Sequence, residues 1–211
     1  MTKMIFAILG PTCAGKTTFL EYAKQEKGDK VHLVEVGKEM RERYPADYFQ
    51  GQDAPQHTQA EAWELCIDGI NKGLEDPNVQ IILVDGQPRS LDQVDKMIEI
   101  SKGRIPCVYF AFTADREERE RRIGVRFDPN NPEHTKSIEL AKARIVNDMI
   151  TGYEMLVELL SRGQTVQVVK TNSSSCFGDI LKKMERFYSM ADKLYRAPST
   201  EDQKRAQNEE G

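Results

Sequence analysis

Short apolar runs alternate along this chain with segments whose apolar residues recur at helical spacing. Met4-Ile5-Phe6-Ala7-Ile8-Leu9 is a continuous apolar run of strand length. Similar runs predict a second strand at Val31–Val36, a third at 79–84, a fourth at Ile105–Phe112 and a fifth at Thr165–Val169. Phe19–Gln25 is free of Gly and Pro and predicts a helix behind the first strand. Ser137–Leu160 predicts a long helix, with Ile138, Ala141, Ile145, Met149, Leu156 and Leu160 near helical spacing. Phe177, Ile180, Leu181, Met184 and Phe187 mark a last amphipathic helix. Apolar strands interleaved with helices imply an α/β domain whose parallel sheet is covered on both faces. Residues 196–211 carry no apolar periodicity and read as a disordered tail, so the domain is expected to span 1–195.

Composition narrows the setting more than the fold. A chain of 211 residues is one ordinary domain with room for a real core. Its 30 Lys and Arg against 34 Asp and Glu leave a net charge of −4, which does not favour nucleic acid. Cys13, Cys66, Cys107 and Cys176 are far apart, so neither a zinc site nor a disulfide framework is expected. No apolar stretch is long enough to span a membrane. The amino terminus runs straight into a strand without a signal-peptide pattern. A cytoplasmic monomer with no membrane partner is the expectation.

The loop after the first strand carries the sharpest chemistry. Gly10-Pro11-Thr12-Cys13-Ala14-Gly15-Lys16-Thr17-Thr18 reads G-x-x-x-x-G-K-T between a strand and a helix. The glycines let backbone N–H groups converge on one anion, and the helix N-terminus adds partial positive charge. Gly10, Cys13, Ala14, Gly15, Lys16, Thr17 and Thr18 are therefore the candidate nucleotide-phosphate cradle. Lys16 would reach the β- and γ-phosphates and Thr17 would ligate Mg²⁺. Cys13 reads as a small residue tolerated in the loop. Asn71-Lys72-Gly73 lacks the Asp of the guanine-reading N-K-x-D, which disfavours a GTPase.

Three further segments stand out. Asp85-Gly86-Gln87-Pro88-Arg89 with Gln93 begins where the third strand ends, the edge at which open α/β sheets place ligands. Asp85 there can hold Mg²⁺ directly or through water, a second metal anchor beside Thr17. Arg89 has a fork suited to phosphate. Val34–Arg41 and Arg119–Arg126 are charged segments, and in that plain reading Arg119 and Arg121 belong to a solvated helix face.

Taken together, these residues resemble the nucleoside monophosphate kinases, adenylate kinase in particular. That family carries G-x-P-G-x-G-K-G-T, S-T-G-D-x-x-R, D-G-F/Y-P-R-x-x-x-Q, R-L-x-x-R and a later R-L/I pair. Gly10–Thr18 match the first and Val36-Gly37-Lys38-Glu39-Met40-Arg41 match the second in part. Asp85–Arg89 with Gln93 match the third closely, Arg122-Ile123-Gly124-Val125-Arg126 the fourth, and Arg144-Ile145 the fifth. Order and spacing are preserved from Met4 to the last helix.

The resemblance implies a P-loop kinase three-layer sandwich with a five-stranded parallel sheet, an acceptor-binding helical insertion at 37–74 and a short lid at 127–136. It implies Mg²⁺-dependent transfer of the ATP γ-phosphoryl to a nucleoside monophosphate, AMP or dAMP by preference. Lys16, Arg126 and Arg144 would neutralise the transferring phosphoryl. Gly37, Arg41, Gly86 and Arg89 would hold the acceptor, and Gln93 would read the edge of its base. Arg122 would lie against the adenine of ATP, or Arg121 if the register slips by one. No general base is expected, because the acceptor is already anionic. Several positions depart from the family: Glu35 and Val36 replace Ser and Thr, Gln87 replaces an aromatic, Thr17 replaces a glycine, and the lid has no arginine. Two other readings remain open: a P-loop kinase for another small acceptor, and a nucleotide-binding switch without turnover.

Overall fold

The structure is a computed structural model that describes residues 2–44, 56–101, 105–128, 130–172 and 177–195, with the side chains of 56, 57, 133, 136 and 144–151 outside the description. In chain order the elements are β1 (Met4–Leu9), α1 (Lys16–Lys27), β2 (Val31–Val34), α2 (Val36–Arg43), α3 (Gln56–Glu75), β3 (Ile81–Asp85), α4 (Leu91–Ser101), β4 (Cys107–Thr113), α5 (Arg116–Arg126), α6 (Pro132–Ser161), β5 (Val166–Lys170) and α7 (Phe177–Tyr195). A single 3-10 turn, Gly28–Lys30, joins α1 to β2.

The strands form one five-stranded sheet in the order β2-β3-β1-β4-β5. Every pairing is parallel. Side-chain alternation on β1 divides the core in two. Met4, Phe6 and Ile8 pack with Phe19 and Leu20 of α1 and Ile180, Leu181 and Met184 of α7. Ile5, Ala7 and Leu9 face Trp63, Cys66 and Ile70 of α3, Val94 and Met97 of α4, and Met155 and Leu159 of α6. All six residues of β1 are buried because helices cover both faces, which is why the strand is apolar throughout rather than alternating. The fold is therefore α/β, an all-parallel sheet between two helical layers.

Element boundaries differ from the expected ones in consistent ways. The second strand stops at Val34 because Val36 begins α2, where it shares a buried face with Met40 one turn on. An apolar residue that serves a helix thus extended the apparent strand. The third, fourth and fifth strands run one or two residues later than 79–84, Ile105–Phe112 and Thr165–Val169. The long helix starts at Pro132 rather than Ser137. Proline suits the first helical position, and the polar turn that follows leaves no apolar signal. Only 127–131 then separate α5 from α6. That connector is tied to itself and to the first turn of α6: Asn130 N–H donates to Asp128 Oδ1 at 2.9 Å and Asp128 N–H to His134 Nδ1 at 3.0 Å. The expected tail at 196–211 lies outside the described residues. Among the described residues, no helix is long and apolar enough to cross a membrane.

Candidate active site

Parallel strands end together, so the loops after β1, β3, β4 and β5 meet at one edge of the sheet. The loop after β1 fits there only because position 10 has no side chain. Gly10 has φ 138, and a Cβ on it would stand 2.2 Å from the carbonyl oxygen of Phe112 in the neighbouring strand. Gly15 caps α1 at φ 85, and Cys13 also takes a left-handed backbone at φ 62. Within the turn, Ala14 N–H donates to the Pro11 carbonyl at 3.2 Å. Lys16 opens α1, and its Nζ donates to the carbonyls of Gly10 at 2.6 Å and Pro11 at 3.0 Å. The ammonium therefore curls over the loop rather than standing free in solvent, while Thr17 and Thr18 are exposed on the first turn of the helix.

α5 closes this site from one side. Arg122 donates from Nη1 to the Cys13 carbonyl at 3.1 Å and from Nη2 to the Thr171 carbonyl at the end of β5. Its Nε donates to Glu118 Oε1 at 2.8 Å, which aims the guanidinium at the loop. Arg121 pairs with the same carboxylate from solvent, so Arg122 and not Arg121 is the residue directed at the loop. Arg121, and then Arg122, hold the Glu118 carboxyl down to about 2. Burial pushes the Cys13 thiol up, while the nearby cations Arg126, Lys16 and Arg122 oppose that rise, so Cys13 stays a neutral side chain. Arg119, expected on a solvated face, is instead 2% exposed and among the largest fully buried side chains. It follows the periodicity of α5: Ile123, one turn on, is buried too. Arg144 lies on α6, with its side chain outside the described residues.

The other side is built from the end of β3. Asp85 closes the strand, and its Oδ1 is buried without a hydrogen-bond partner among the described residues. Burial raises its carboxyl, while Lys16, Arg89 and Arg41 oppose that rise, so all three cations act on one carboxylate. Gly86 turns the chain at φ 66, anchored by its N–H on the Ile8 carbonyl at 2.9 Å. A Cβ there would stand 3.2 Å from Arg89 Nη2. Arg89 Nε donates to the Gly86 carbonyl at 2.8 Å, and the Arg89 backbone N–H donates to Gln93 Oε1 at 2.6 Å. Gln93 is buried on the first turn of α4. Its carbonyl, which the sequence reading aimed at the acceptor base, is engaged in holding the Arg89 turn. On α2, the Arg41 guanidinium lies back toward Gly37, 3.4 Å from where a Cβ would be.

Two contributors escaped the sequence reading. Thr171 sits 1% exposed beyond β5, and its hydroxyl reaches the Ala14 carbonyl of the loop and the Thr113 carbonyl of β4. Glu118 positions Arg122. The only available signal was place: Thr171 directly follows a strand, and Glu118 lies one turn before Arg122.

No family model matches the chain. It is 28% identical to an adenylate kinase of Nautilia profundicola over 103 residues, which cover 47% of this chain and 54% of that protein. It is 26% identical to an adenylate kinase of a Nitratiruptor species over 129 residues, covering 58% and 66% respectively. The chain thus spans about half to two thirds of the length of the curated relatives it matches. The similarity to these adenylate kinases is distant and partial, and the fold it accompanies is the all-parallel α/β sheet described above.

Proposed function

We propose that this chain catalyses Mg²⁺-dependent transfer of the ATP γ-phosphoryl to a nucleoside monophosphate, with AMP or dAMP preferred. The observation that carries this reading is the two-sided set of cations around one loop. Lys16, Arg122 and Arg126 act on Cys13 from the donor side, and Lys16, Arg89 and Arg41 act on Asp85 from the acceptor side. Two polyanions brought together need such a set, because their repulsion must be neutralised before the phosphoryl can move. A protein that only bound one nucleotide would have no use for the second group of arginines.

The residues divide the work by geometry. Arg122 lies along the loop, where its planar guanidinium can support the donor base. Arg41 and Arg89 clamp the acceptor phosphate, and Lys16, shared by both sides, follows the transferring group. Once ATP enters, Lys16 exchanges the Gly10 and Pro11 carbonyls for phosphate oxygens. Arg126 and Arg144 would supply further charge. The orphaned Asp85 Oδ1 and the exposed Thr17 hydroxyl fit a hard, oxygen-seeking cation. Mg²⁺ held there would screen the phosphates and orient the departing ADP. The same carboxylate, with its Oδ1 unmet among the described residues, gives a hydroxyl acceptor some claim, since Asp85 could then act as the base.

A panel of nucleoside monophosphates and nucleosides, each tested with ATP and Mg²⁺ while ADP formation is followed, tests the proposal. Turnover with monophosphates and not with nucleosides is expected. Turnover with nucleosides alone would replace the reading with the hydroxyl-acceptor one, and none with any acceptor would leave a binding protein.

A further inference from the structure

Gln87 stands where the acceptor side turns, between Gly86, whose carbonyl holds Arg89, and Pro88. It is 2% exposed, and its side-chain Oε1 is buried with no hydrogen-bond partner among the described residues. Native structures seldom leave a buried amide oxygen unmet, because its desolvation is uncompensated. An apolar side chain of the same size would avoid that cost. The neighbouring groups are already committed: Arg89 Nε is turned to the Gly86 carbonyl, and Gln93 spends its carbonyl on the Arg89 N–H. A polar atom buried at such a place and left without a partner is what a site awaiting its ligand presents.

We propose that Gln87, rather than Gln93, is the residue that reads the nucleoside of the acceptor, its amide oxygen accepting an N–H or O–H of the base or sugar. The proposal rests on the phosphoryl-transfer reading of the site. The orphan atom narrows what it can meet. An amide oxygen requires a donor, whereas the phosphate oxygens of the acceptor only accept and are matched instead by guanidinium groups, which only donate. The donors left on a nucleoside monophosphate are the amino or ring N–H of its base and the hydroxyls of its sugar. Discrimination by such a group is strong, because a substrate without the donor leaves the amide buried and unpaired.

The experiment uses the full chain with ATP and Mg²⁺. It compares AMP with purine riboside monophosphate, which lacks the exocyclic amine, and with dAMP, in the parent and in Gln87→Leu. If another monophosphate is preferred, its own donor-lacking analogue takes the same place. In the parent, the acceptor bearing the donor should be favoured in kcat/KM by roughly ten- to a hundredfold over the analogue lacking it. In Gln87→Leu that ratio should collapse toward one, with the ATP KM unchanged and the melting temperature held or raised. Collapse of the amine ratio assigns the base, and collapse of the ribose-to-deoxyribose ratio assigns the sugar. Ratios that survive intact in Gln87→Leu overturn the proposal. Should that variant fail to fold, Gln87→Met keeps the side-chain length and is judged by the same ratios. A parent without turnover on any monophosphate removes the reading of the whole site, an outcome distinct from turnover whose ratios ignore position 87.

Discussion

The side-chain carbonyl of Gln93 accepts the backbone N–H of Arg89 at 2.6 Å, tying the first turn of α4 to the arginine proposed to clamp the acceptor. Under that proposal Gln93 acts on the acceptor through Arg89. Gln93→Leu leaves the part-buried Arg89 N–H without this acceptor, at a cost of about 0.5–1.5 kcal/mol. The acceptor KM should rise by roughly tenfold with every base alike, while the ATP KM stays constant. Steady-state kinetics across purine and pyrimidine monophosphates checks this. A loss confined to one base would return Gln93 to direct base reading.

Arg89→Ala should raise the acceptor KM and lower kcat together, because the guanidinium would touch the acceptor phosphate in both ground and transition states. ATP affinity, measured by titration calorimetry without acceptor, should be nearly unchanged. A variant that loses ATP binding alone would place Arg89 on the donor side.

Lys16→Ala should cost at least about a hundredfold in kcat, the scale of losing one preorganised charge contact. The fold should persist, because the Lys16 ammonium reaches two carbonyls of the loop rather than joining the apolar core. Rates measured beside a thermal melt separate the two effects. A folded Lys16→Ala protein with near-normal rates would dismiss the loop as the donor site.

Asp85→Asn should separate stability from activity. The Asp85 Oδ1 is buried without a hydrogen-bond partner among the described residues, and burial penalises its charge more than the nearby cations favour it, so an amide there should hold or raise the melting temperature at neutral pH. Turnover should fall by about a hundredfold or more, with the Mg²⁺ requirement weakened. Calorimetric melting and a Mg²⁺ titration of the rate test the two halves. A less stable variant that keeps full activity would contradict both.

Glu118 gives the pH dependence. Its carboxyl lies near 2 in the folded chain against an ordinary 4.5, because Arg121 and Arg122 favour the ionised form. A depressed folded value means that the pairing stabilises in full above the unfolded value and is lost as pH falls through the folded one. The difference in melting temperature between the parent and Glu118→Gln should be constant above pH 6. It should shrink between pH 4.5 and 2. The same variant should raise the ATP KM a few fold at neutral pH, since Arg122 loses its Nε anchor.

The architecture was legible in the chain because its signals are local. A strand buried on both faces must be apolar throughout, so Met4–Leu9 and the runs of β3 and β4 announce themselves without reference to any partner, while the edge strands β2 and β5 are only partly buried. A loop that brings backbone N–H groups to one point needs glycine at fixed spacing, so Gly10, Gly15 and Lys16 are equally plain. What the tertiary structure decided are the properties that depend on contacts distant in sequence. Gly10 is obligatory because the Phe112 carbonyl, on another strand, occupies the place of its side chain. Thr171 joins the site because β5 ends beside the loop after β1, with the partners 157 positions apart in sequence. Arg119 and Arg121 are alike in composition and sequence setting, yet the packing of α5 buries one and leaves the other in solvent. Gln93 and Gln87 carry the same amide, yet the Gln93 oxygen meets the Arg89 N–H while the Gln87 oxygen has no partner among the described residues. Periodicity and spacing specify which groups the chain possesses. Whether a polar group is spent on the fold or left for a ligand is set by its neighbours in space, and adjacent positions in sequence do not encode them.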